Sequence, residues 1–94
     1  MILQVFSVFD SATKAYMPPF FSRSKGEALR SFTDACSDEK SNFNKHLSDY
    51  MLVHCGEFDD NSGVFSTVAP VKIIAGVELD IDVVTPFRRD NKIA

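Results

Sequence analysis

Ser24 to Cys36 reads SKGEALRSFTDAC, and the local chemistry of this stretch nearly fixes its structure. Ser24 is placed to cap a first helical turn, and Glu27, three residues on, is placed to reach back to the cap's own amide. That reciprocal arrangement is a capping box, which satisfies two of the N–H groups a helix start leaves open. Behind it, Ala28, Leu29, Phe32, Ala35 and Cys36 recur at helical spacing and form one apolar stripe, with Lys25, Arg30, Ser31 and Asp34 mainly off it. The chain therefore carries one well-marked helix. The β-like segments around it need a surface to pack against, and this stripe supplies one.

Working outward, Ile2 to Phe9 is apolar, β-branched and aromatic, as expected of a strand covered on both sides. Asp10 to Thr13 reads as a turn. Ala15 to Ser22, AYMPPFFS, combines aromatics with Pro18 and Pro19, which cannot donate to a β-ladder, so it predicts an edge strand or extended arm leading into the helix. After the helix, residues 37–48 are polar, with Phe43 and Leu47 anchoring a short helical turn. Tyr50 to Phe58 and Val64 to Val68 form a hairpin around Asp59-Asp60-Asn61-Ser62-Gly63, with Pro70 ending it. Val71 to Ala75 is a further apolar run, and Gly76 marks a bend. Val77, Leu79, Ile81 and Val83 alternate with Glu78, Asp80 and Asp82 as a half-buried strand. The economical arrangement is α+β: one domain over residues 1–84, an antiparallel sheet of four to five strands, and the 24–36 helix on one face. Residues 85–94 read as a mobile tail.

A chain of 94 residues has room for one core, and 45% apolar residues with nine Phe suffice to fill it. Cores of this size gain stability by association, so a homo-oligomer is expected. No apolar run approaches the roughly 20 residues a membrane helix needs. MILQVFSVFD lacks the basic start of a secretory signal. Two cysteines, Cys36 and Cys55, read as free buried thiols of a cytoplasmic protein rather than a disulfide framework.

No motif in the chain carries catalytic or cofactor chemistry. Asp59 to Gly63 has the composition of a calcium loop, but the twelfth position, where an EF-hand needs Glu, is Pro70. His54 and Cys55 are adjacent on a strand and point to opposite faces, and no metal-ligand spacing is present. Phosphate-binding, dinucleotide and nucleophile-elbow signatures are missing. The expectation is a non-enzyme without cofactor or metal.

Charge is more informative. The chain is acidic, with formal net charge −3, yet residues 10–33 carry Lys14, Arg23, Lys25 and Arg30 against Asp10 and Glu27. Residues 57–82 carry six carboxylates against Lys72 alone. The basic segment also holds Tyr16, Phe20 and Phe21. Cations for phosphate and aromatics for bases are what single-stranded nucleic acid binds to, so these seven residues form the candidate nucleic-acid surface. The competing reading takes Tyr16 to Phe21 as an oligomer or partner interface that touches no DNA.

Phe9-Asp10, Pro19-Phe20-Phe21 followed by Arg23, Gly26-Glu27-Ala28 with Phe32, and Gly56-Glu57-Phe58-Asp59-Asp60 together give a pattern that resembles the small non-structural protein of gokushovirus-type Microviridae. These are tailless bacteriophages with circular single-stranded DNA. The likeness runs over residues 1–70, and the chain from Val71 onward departs from it. The resemblance implies a role in the viral DNA cycle in the host bacterial cytoplasm. That role would be binding single-stranded DNA, or joining viral or host replication proteins in the switch to single-strand synthesis and packaging. It supplies no catalytic residues.

Overall fold

The computed structural model describes residues 1–79. Its centre is β1 (Ile2–Asp10), whose residues Val5, Phe6, Ser7 and Val8 are all buried. Alternation along the strand splits them between two faces. Phe6 and Val8 join Leu52 against Ala28, Phe32 and Cys36 of helix α1 (Lys25–Ser37), and this cluster is the main core. Val5 and Ser7 face the other way. The expectation of a strand covered on both sides holds.

Along its length β1 pairs on one side with two short strands, β2 (Ala15–Tyr16) and β3 (Phe20–Ser22), and on the other with β4 (Tyr50–Asp59). The helix α2 (Asn42–Lys45) and a 3-10 turn at Leu47–Asp49 lie between α1 and β4. β5 (Val64–Ala75) pairs with β4, and all pairings are antiparallel. The fold is α+β, as the sequence leads one to expect.

Helix α1 begins as its sequence dictates. Ser24 is extended at φ −152°, and its Oγ accepts the Glu27 amide at 3.2 Å. The return half of the expected box is displaced by one residue. The Glu27 carboxylate accepts from the Arg23 amide and the Ser22 hydroxyl, both at 3.2 Å, and so ties β3 to the helix start. An N-cap of this kind contributes about 1 kcal/mol. At the far end, the open carbonyls of Ala35 and Cys36 accept from Ser41 Oγ and Asn44 Nδ2. The polar segment after the helix therefore serves as its C-terminal cap. Phe43 anchors that segment, with its ring 4.5 Å from Tyr50 and 6.1 Å from Phe32.

Three expectations need correction. Pro70 does not end the second hairpin strand; β5 continues through it to Ala75. The pairs Gly56↔Thr67 and His54↔Val71 leave three residues, Val68 to Pro70, opposite Cys55 alone. Pro70 thus sits in a bulge of an outer strand, where its missing N–H removes no ladder bond. Val77 does not open a strand either, because Gly76–Glu78 is a 3-10 turn whose Glu78 accepts the Ala75 amide and pairs with Lys72 at 3.2 Å. That contact, led by the Ala75 amide, holds the Glu78 carboxyl below its ordinary pKa. Cys55 is only half-buried, whereas Cys36 is fully buried with its thiol pushed up to about 11 by desolvation; both are free. The rest of the expected 77–83 strand, the domain boundary at 84 and the 85–94 tail lie outside the described residues. Among the described residues, no helix is long and apolar enough to cross a membrane.

Candidate nucleic-acid interface

Two prolines set the shape of the surface opposite the helix. β2 and β3 share one edge of β1, with Tyr16 opposite Phe9 and Phe21 opposite Val5. They lie four strand residues apart, about 13 Å. Met17 to Pro19 bridge the gap as an extended arm, where Pro18 and Pro19 need no ladder partner. The arm is fastened by Met17 N–H donating to the Val8 carbonyl at 2.8 Å and by Ser7 Oγ donating to the Met17 carbonyl at 2.7 Å. The expected extended arm is therefore present, with a short strand at each end.

Between this arm and β5 runs an apolar groove of about 320 Å³. Tyr16, Met17 and Pro19 form one wall, Phe65, Thr67 and Pro70 the other, and Val5, Ser7 and Cys55 also line it. Phe65 extends the surface beyond the groove. Its ring lies 4.6 Å from Phe58 and 6.1 Å from Phe21, and Phe21 lies 5.5 Å from Phe58. Phe21 in turn lines a second hollow with Ser22, Arg23, Glu27, Arg30 and Asp34. Among the described residues neither arginine has a carboxylate within 4.0 Å, and Glu27 is held by Arg23 N–H and Ser22 Oγ. At the opposite end Lys14, in the left-handed region at φ 58°, shapes the β1–β2 turn beside Tyr16. One continuous path results: Tyr16, the groove, Phe65, Phe21, then Arg23 and Arg30, with Lys14 in the turn two residues before Tyr16.

Residues 3–79, well over half of the chain, match the family described as phage ORF5 protein. The chain belongs to the phage ORF5 protein family. No curated protein and no solved structure matches it.

Four of the seven candidate residues of this ORF5 chain, Tyr16, Phe21, Arg23 and Arg30, lie on the path, with Lys14 in the adjoining turn. Phe20 does not: its ring stacks on Phe6 at 5.8 Å and lies with Val8, Phe32 and Phe43 on the helix side. Neighbours on a strand face opposite ways, so of Phe20 and Phe21 only one was ever available to the open face. Lys25 is also elsewhere, lining a hollow with Gln4, His54 and Lys72 at the start of α1. Phe58, Phe65 and Met17 were not singled out from sequence. The first two carried a usable signal, because the closing pair Asp59↔Val64 makes Phe58 and Phe65 the next cross-strand pair of the ORF5 hairpin.

The ORF5 chain also separates its soft ligands. The His54 ring lies 5.2 Å from Phe6 on the helix side, with Nε2 2.8 Å from Gln4 Oε1, whereas Cys55 lines the groove. Burial raises the Cys55 thiol above its ordinary pKa, so it is a weak nucleophile there. The arrangement offers stacking surface and cations.

Proposed function

We propose that this ORF5-family protein is a gokushovirus-type non-structural protein that acts without catalysis, binding single-stranded DNA in the host cytoplasm. One observation carries the reading. Phe65 belongs both to the apolar groove and to the Phe21 cluster beside Arg23 and Arg30, so aromatic surface runs unbroken from the groove to two cations. Stacking contributes roughly 1–3 kcal/mol per base and tolerates any sequence. Phosphate contacts supply the salt-dependent remainder.

A fluorescence-anisotropy titration with a labelled mixed-sequence single strand tests this. Micromolar binding that weakens with salt is expected. Replacing Arg23 and Arg30 together by Ala should shallow the log–log salt slope by about 1.4, at about 0.7 per lost phosphate contact. Lys25→Ala, on the other side of the sheet, should leave the slope unchanged. No binding at low salt by folded protein would sink the proposal.

One observation favours the second reading, an oligomeric module that binds viral or host replication proteins and not DNA. Val64 to Val71 of β5 is uncharged and exposed, with Val64, Val68 and Val71 each more than half accessible. The mass of the protein in solution without DNA, set beside the titration, separates the two: a tight oligomer with no DNA affinity supports the module.

A further inference from the structure

We infer that the groove between the Tyr16–Pro19 arm and β5 is a seat for one unstacked nucleobase held chiefly by stacking. This rests on the single-strand reading above and locates where a base is gripped. The walls set an aromatic ring and a proline on each side, Tyr16 and Pro19 from the arm against Phe65 and Pro70 from β5. A volume of about 320 Å³ is at the small end of ligand-sized pockets, right for a single ring system and too small for stacked neighbours. Of the polar residues in the lining, the Ser7 hydroxyl is already spent on the Met17 carbonyl and the Glu57 carboxylate accepts from Gln4 Nε2, which leaves the Thr67 hydroxyl to face a ligand. The occupant is gripped chiefly by shape and stacking.

Charge identifies it further. Through Phe65 and Phe21 the groove leads to Arg23 and Arg30, and the turn that carries Lys14 lies two residues before Tyr16. A neutral ring with an anion beside it matches that layout, and a nucleotide within a strand is such a ring. A lipid chain or an uncharged apolar peptide carries no anion for those cations.

The test compares an intact single strand with one of equal length whose nucleotides are abasic, using the full-length protein. Cys55, in the groove lining, is the local reporter through its rate of alkylation. The intact strand should bind about 5- to 100-fold more tightly than the abasic one and should slow Cys55 alkylation at saturation; the abasic strand should not slow it. Thr67→Phe, which fills the groove from the β5 wall, should weaken intact-strand binding toward the abasic level and leave abasic binding unchanged. If the intact strand binds but leaves Cys55 alkylation unslowed, or Thr67→Phe binds like the parent, the seat is refuted and the DNA reading survives. If neither strand binds, both are refuted.

Discussion

Gly56→Ala is expected to destabilise the protein by about 2–6 kcal/mol, combining roughly 1–3 for a left-handed backbone with roughly 1–3 for overpacking. Gly56 is buried in β4 at φ +144°, a region L side chains rarely adopt. A methyl there would lie 2.2 Å from the Ser66 carbonyl oxygen and 2.9 Å from Thr67 Cα. Both are backbone atoms of the paired strand, so no side chain can swing aside to make room. Relief requires β4 and β5 to part where the bulge begins. A domain of this size has on the order of 5–14 kcal/mol in hand, so the variant should lose much of its urea-denaturation midpoint. Gly63 is the natural comparison. It too has positive φ, at +77°, but nothing lies within 4 Å of an added Cβ, so Gly63→Ala should cost only the backbone strain. Equal midpoints for the two variants would show that the Gly56 contact is absent in solution.

Phe6→Ala should cost about 3–5 kcal/mol, the range for a fully buried aromatic. Phe6 is 0% exposed and is the largest fully buried side chain, with Phe20 stacked at 5.8 Å and His54 at 5.2 Å. Its neighbours come from α1, β3 and β4, so no single element can relax to close the cavity. Phe21→Ala should cost far less, since Phe21 is 47% exposed, and should act on DNA binding instead. Thermal unfolding of both variants checks the contrast. Similar losses would mean that Phe21 is part of the core and unsuited to stacking on a base.

The helix and the β4–β5 hairpin were legible because each is written locally. Ser24 and the apolar stripe mark the one, and two strand-like segments around a Gly-ended turn mark the other. Pro70 misled because a proline's meaning depends on whether its N–H faces a partner, and that is a property of the sheet, not of the segment. The 77–83 alternation misled at its start because the Glu78 carboxylate satisfies the Ala75 amide and turns the backbone away from a ladder. As for the candidate site, charge and aromaticity point to Tyr16, Phe21, Arg23 and Arg30, which line adjoining hollows on the open face, and to Lys14 in the turn beside them. Phe20 was misplaced, and Phe65 was missed, because side-chain facing follows from register, which a single segment does not state.

The pairing of β1 with β4 has a consequence for how the protein is made. The partners run from Asp10↔Tyr50 to Ile2↔Asp59, so forty to fifty-seven residues separate them. At about 5–20 residues per second of synthesis, β1 leaves the ribosome roughly 2–11 seconds before the strand that completes it. For that interval an apolar segment, buried on both faces in the finished sheet, has one face and one edge without a partner. Chains stalled on the ribosome before β4 has emerged should be cut by protease within β1, and chains stalled after it should resist. Equal resistance would mean that the helix alone shelters the strand. Cleavage confined to the early chains would mean that this apolar strand needs shelter in the cell until β4 arrives.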